Sequence, residues 1–142
     1  MKKTILLSII GLIAITASAQ KIKETEVPAA VKATLTKEYP NVKVKSWEKE
    51  KGNFEAEFDF KKTEMSVLID PTGKLIETET EIKVSELPKN ISEYCSTNYK
   101  NKKIKEASKI IDSQGIVTYE AEITKMDVLF DASGKFIKEV KD

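Results

Sequence analysis

Phe54–Glu79 reads FEAEFDFKKTEMSVLIDPTGKLIETE, and a shorter version of it, YEAEITKMDVLFDASGKFIKEV, occupies Tyr119–Val140. FEAEF answers to YEAEI, MSVLID to MDVLFD, and the turn DPTGK to DASGK. In the first copy Phe54, Ala56, Phe58 and Phe60 oppose Glu55, Glu57 and Asp59. In the second, Val117, Tyr119, Ala121 and Ile123 oppose Thr118, Glu120 and Glu122. Alternation with a period of two predicts half-buried antiparallel strands. The next strand is less regular. Met65, Val67 and Ile69 belong with the core set, as do Met126, Val128 and Phe130, but Leu68 and Leu129 fall on the opposite face in both copies. Asp70-Pro71-Thr72-Gly73 has the residues of a type I turn, and Asp131-Ala132-Ser133-Gly134 matches it.

Upstream of each hairpin lies a helix-like segment. Val27, Val31, Leu35 and Tyr39 recur every four residues and form one stripe. Pro28 suits the first turn, where its missing N–H would have no partner, and Pro40 ends the helix because the residue before a proline disfavours helical geometry. Sixty residues on, Leu87-Pro88 opens a second stripe of Leu87, Ile91, Cys95 and Tyr99. Extended segments follow at Val42–Val44 and around Ile104, with turns at Gly52-Asn53 and Gln114-Gly115. Final strands are expected at Lys74–Ile82 and Lys135–Val140.

This pattern defines an α+β fold of two tandem repeats, each a helix followed by a four-stranded antiparallel sheet. The helices are expected on one face, leaving the other face open. Each unit alone would be marginal, since a small domain buries too little of its surface. Lys21–Glu26 is expected to be a flexible leader, and Lys83-Val84-Ser85-Glu86 a short linker.

The first residues differ in kind. Met1-Lys2-Lys3 is a basic start, Thr4–Ile15 an apolar run, and Ala17-Ser18-Ala19 a small-residue cleavage signature. That is the layout of a secretory signal peptide, too short for a spanning helix. The expected division is a signal peptide over 1–19, a leader and first repeat over 20–82, and a linker and second repeat over 83–142. The mature chain starts at Gln20 and is periplasmic or secreted, with no membrane insertion after cleavage.

Composition removes several function classes. Cleavage takes two of the 24 basic residues and none of the 23 acidic ones, leaving 22 against 23. Such a balance gives no drive toward nucleic acid or anionic lipid. Every basic residue is lysine and histidine is absent, so imidazole-dependent triads, His-rich zinc sites and imidazole pH switches are excluded. Cys95 is the sole cysteine and aligns with Leu35, which predicts a small buried hydrophobe.

Val27-Pro28 and Leu87-Pro88 open the helices, Tyr39-Pro40-Asn41 and Tyr99-Lys100-Asn101 close them, and Asp70–Lys74 and Asp131–Lys135 turn the hairpins. In these landmarks, in this order and in duplicate, the chain resembles the β-lactamase-inhibitor-like, PepSY-like family of exported bacterial proteins. Two departures stand out: lysine follows Tyr99 where proline follows Tyr39, and the second central hairpin is shorter. The resemblance implies a helix-and-antiparallel-sheet repeat outside the cytoplasm and a role in binding or restraining other proteins, such as secreted enzymes. It brings no catalytic residues.

The expected function is an exported, non-enzymatic binding or inhibitory module that acts through the open sheet face on another exported protein. Glu55, Glu57, Leu68, Glu120, Glu122 and Leu129 are the expected contact residues. Trp47 joins them by parity from Val42 and Val44, unless a β-bulge at Ser46 sends it into the core. The carboxylates read as solvated charges facing lysines on neighbouring strands, so no metal or cofactor is expected. An alternative is an envelope accessory protein that binds a small ligand or ion between the two repeats. A hydrolase is disfavoured by the missing histidine and the lack of a nucleophile motif.

Overall fold

The computed structural model describes residues 19–141. Apart from Ala19, the expected signal peptide lies outside the described residues. The chain falls into two compact units, one built from residues up to Asp59 together with Ser66–Ile76, the other from Phe60–Met65 and the residues from Glu77 on.

The first unit begins with strand β1 (Gln20–Ile22), a 3-10 turn over Glu24–Glu26 and helix α1 (Ala29–Glu38). Pro28 caps the helix and Tyr39 ends it, as the two prolines dictate. Strands β2 (Val44–Glu50), β3 (Asn53–Phe60) and β4 (Thr63–Ile69) follow. Val27, Val31 and Leu35 are buried along α1, and Phe54, Ala56, Phe58, Val67 and Ile69 are buried on the strands. Tyr39 packs on Phe58 with ring centroids 4.9 Å apart. The expected flexible leader is in part a strand: β1 pairs antiparallel with β2, setting Ile22 opposite Trp47 and Lys21 opposite Glu48. A three-residue strand is too short to announce itself by periodicity.

The second unit contains most of strand β5 (Leu75–Ile82), a 3-10 turn over Val84–Glu86, helix α2 (Lys89–Asn98) and strands β6 (Glu106–Asp112), β7 (Val117–Ile123), β8 (Met126–Asp131) and β9 (Phe136–Lys141). Its core gathers Leu87, Ile91 and Cys95 from the helix side with Ala107, Ala121, Ile123, Met126, Val128 and Phe130 from the strands. Tyr94 stacks on Phe136 at 5.2 Å. Cys95 is free and buried, the small hydrophobe its stripe predicts.

From the opening strand through the helix to the next strand the two units match at a shift of sixty. Ile22 opposite Trp47 becomes Ile82 opposite Ala107. The Lys23 N–H donates to Glu26 Oε2 at 2.8 Å, and the Lys83 N–H donates to Glu86 Oε2 at the same distance. Lys83–Glu86 is therefore the counterpart of a structured turn and not a plain linker. Among the described residues four strands follow each helix, but β1 adds a ninth, and the strands are hydrogen-bonded in chain order from β1 to β9. The repeat in space is thus a strand, a turn, a helix and three strands, and β5 opens the second unit as β1 opens the first.

The strand face turned away from the helices is not open as expected. Glu50, Glu55, Ser66 and Leu68 are buried there in the first unit, and Glu77, Glu79, Glu120, Asp127 and Leu129 in the second. Directly opposed residues on one face of an antiparallel pair stand about 5 Å apart at Cβ. Glu120 accordingly sits between Ser108 and Leu129 in register, with Glu122 and Thr118 beside it along β7. No helix among the described residues is long and apolar enough to cross a membrane.

Candidate functional site

Trp47 is 5% exposed, on the helix side of β2. The ladder between β2 and β3 shifts between Val44 and Ser46, so Lys45 is the extra residue and Trp47 lies opposite Ala56. The bulge turns the indole inward. Glu55 lies opposite Glu48 and is 5% exposed, and Leu68 is 2% exposed. Glu57 is half-buried and accepts a hydrogen bond from Ser46 Oγ at 3.0 Å. In the second unit Glu122 is half-buried, while Glu120 and Leu129 are buried. Five of the seven expected contact residues are thus covered by their own chain and are not presented to a partner. The solvated-carboxylate pattern holds for Asp59, which pairs with Lys45 at 2.7 Å.

Burial changes the chemistry of the second unit's acidic face. Glu79 has its carboxyl pushed up to about 8, chiefly because burial disfavours its charged form; Ser108 opposes this by donating a hydrogen bond, and Glu77, Asp127 and Glu64 add repulsion. Glu120 is raised well above the ordinary range by burial and by Glu79, Asp127 and Glu122. Among the described residues no group of three or more acidic or cysteine side chains is placed to hold a metal ion.

A different feature is presented to solvent. Ile111, Ile116 and Ile137 are the exposed large apolar side chains among the described residues, and Ile116 is the most exposed at 57%. Ile111 and Ile116 flank the turn between β6 and β7, which Asp112 builds. Its Oδ1 accepts from the N–H of Gln114 at 2.8 Å and of Ile116 at 2.9 Å. The Gly115 N–H donates to the Asp112 carbonyl at 2.9 Å, and the Asp112 N–H to that of Ile116 at 3.1 Å. Gly115 supplies the left-handed φ of 81° that the turn needs. In the first repeat the chain is already turning at Lys51, with a φ of 48°, whereas Ile111 still belongs to β6, so the β6–β7 hairpin is the longer one and carries its apolar residues in the added length. Comparing the two copies at this turn is the signal that would have found the site in the sequence.

The family model described as beta-lactamase-inhibitor-like, PepSY-like matches residues 13–77 and again 76–138. The chain belongs to this family. The two matches meet inside β5, the strand that opens the second unit. No curated protein matches the chain. Among solved structures, a protein described as periplasmic from Bacteroides eggerthii is similar at a TM-score of 0.71 and 15% identity, over 81% of this chain and 88% of the other. A DUF2874 family protein from Bacteroides uniformis is similar at a TM-score of 0.70 and 18% identity, over 80% and 88%. A BLIP-like protein from Bacteroides fragilis is similar at a TM-score of 0.62 and 21% identity, over 80% and 86%. At these identities the likeness is one of fold.

Proposed function

We propose that this PepSY-like chain is an exported, non-enzymatic protein-binding module, and that it meets its partner through the β6–β7 turn. The observation that carries this reading is Ile116, 57% exposed on a turn fixed by four hydrogen bonds around Asp112. An apolar anchor held rigid before binding loses little freedom on contact, which is how a small patch attains affinity. Export is supported by the leader layout of residues 1–19 and by the similar B. eggerthii protein described as periplasmic. A binding role is supported by the similar BLIP-like protein, and a non-enzymatic one by a chain without histidine.

Photo-crosslinking in the envelope of the native host, with the probe beside the turn at Gln114, tests the reading. A discrete adduct is expected with wild type and not with Ile116→Asp. A loss of about 2 kcal/mol, typical of a central apolar anchor, corresponds to a fall in affinity of roughly thirtyfold. The same adduct at equal yield from both proteins would refute the turn as the contact surface.

A further inference from the structure

Four carboxyl groups, those of Glu77, Glu79, Glu120 and Asp127, lie on the helix-averted face of β5, β7 and β8, each no more than 7% exposed. The pairing register sets the other charged groups of that face. Glu81 stands beside them on β5, Glu106 and Asp112 on β6, Glu122 on β7, Asp131 on β8, and Glu64 approaches from the β3–β4 hairpin. Lys138 on β9, opposite Leu129, is the cation the register places there. Acids predominate on this face, and Glu79 and Glu120 cannot both stay ionised in a space that water barely enters. One atom is particularly telling: Glu79 Oε2 is buried and has no hydrogen-bond partner. With no donor to support a negative charge on that oxygen, burial favours the neutral, protonated carboxyl.

The fold does not force this cluster. Where the second repeat has Asp127 in MDVLFD, the first has Ser66 in MSVLID. The shift of sixty that superposes β1 on β5 brings Ala19 to the position of Glu79. The second unit therefore carries two acids that its twin manages without.

We infer that Glu79 and Glu120, packed beside Asp127, form a proton-binding latch: the face stays packed while the two glutamates hold protons and loosens when an alkaline medium takes them. Each proton leaves to solvent and the carboxylates left behind repel, so the relief is separation of their side chains and entry of water onto the face they share. The direction follows from linkage. A group that binds its proton more tightly folded than unfolded contributes fully below the unfolded value of 4.5, and that contribution is lost as pH rises toward the folded value of about 8. An envelope protein bathed in the outside medium would then report its pH without any imidazole.

Carbon-13 carboxyl NMR on the mature chain, titrated from pH 4 to pH 10, tests the latch. At least one of Glu79 and Glu120 should titrate about two pH units or more above the ordinary carboxyl range, a preference for the proton of roughly a hundredfold. Amide exchange at Ile110 and Thr118, corrected for its intrinsic pH dependence, should quicken about tenfold or more between pH 6 and pH 9. Glu79→Gln or Glu120→Gln should remove that acceleration, while Asp59→Asn, at the exposed acid paired with Lys45, should leave it. Ordinary titration of both glutamates in wild type would overturn the inference, and so would acceleration that survives in the glutamine variants. The wild-type titration stands whether or not either variant folds.

Discussion

Thr34 and Gly73 are tied by a 2.6 Å hydrogen bond from the threonine Oγ1 to the glycine carbonyl oxygen, which seats α1 on the turn between β4 and β5. Gly73 has a φ of 91°, and a Cβ there would lie 2.9 Å from the Ala30 carbonyl oxygen, part of the helix backbone. The second unit repeats the arrangement with Asn90 Nδ2 donating to the Ser133 carbonyl at 2.8 Å and Gly134 at a φ of 80°.

The twin glycines should therefore respond differently to the same substitution. Both Gly→Ala changes meet the strain of a left-handed residue, about 1 kcal/mol. At Gly73 the methyl also meets a backbone carbonyl that cannot give way, raising the cost to about 2–3 kcal/mol. At Gly134 it meets the Asn90 side-chain amide, which can rotate aside at the expense of its bond to Ser133. Gly73→Ala should cost more than Gly134→Ala in urea unfolding, and Gly134→Ala with Asn90→Ala should cost less than the sum of the two.

Trp47 offers a second test. Its indole Nε1 is buried without a hydrogen-bond partner, an arrangement that costs about 1–3 kcal/mol. Trp47→Phe removes the orphaned donor while keeping an aromatic ring, so it should change stability by less than about 1.5 kcal/mol. Trp47→Ala should cost about 3–5 kcal/mol through the cavity it leaves. Trp47 is also the only tryptophan, so its emission should be blue-shifted when folded and move red across the same denaturant transition seen by circular dichroism.

Much of this architecture is legible in the residues. Both helix stripes, the strand alternation from Phe54 to Phe60 and the two Asp-X-X-Gly turns are local patterns, and local patterns determine local structure. The side taken by Trp47 was not fixed by the residues, which allow it outward by parity or inward past a bulge near Ser46. The bulge at Lys45 takes it inward and leaves no mark in composition. Nor was β1 legible, which has three residues. The burial of the expected contact residues was hidden for a related reason. Alternation tells which face Glu120 and Leu129 occupy, but how crowded that face becomes depends on strands far apart in sequence, and burial follows crowding.

Acid should weaken the fold at the turns. Asp70 has its carboxyl held below the usual range chiefly by the Thr72 hydroxyl, then by the Lys74 N–H; Asp131 is held likewise by Ser133 and Lys135. A depressed value means stability that is present above the unfolded value of 3.8 and lost as pH falls through the folded one. Urea midpoints should therefore drop below about pH 4, and Asp70→Asn with Asp131→Asn should flatten that acid limb. The fall at alkaline pH expected from Glu79 and Glu120 should persist in the same variant, since Asp70 belongs to the other unit and Asp131, half-buried beside Thr118, is not one of the buried carboxyls.

Ile116 and Leu129 separate the two surfaces on which a partner has been sought. Both are branched aliphatics on the strand region of the second unit, yet Ile116 is 57% exposed and Leu129 only 4%. Ile116→Asp puts a charge where water already stands, so stability should move by less than about 0.5 kcal/mol. Leu129→Asp forces a carboxylate among Glu120 and its neighbours, where burial and like charge both oppose ionisation, and should cost about 3 kcal/mol or more. Denaturant unfolding measures both. If Leu129→Asp unfolds at the wild-type midpoint, the face is open after all and returns as a docking surface. If Ile116→Asp loses several kcal/mol, its side chain serves the fold, and the turn cannot be the free anchor proposed above. With a stable Ile116→Asp and a crippled Leu129→Asp, lost crosslinking in the former can only mean a lost contact.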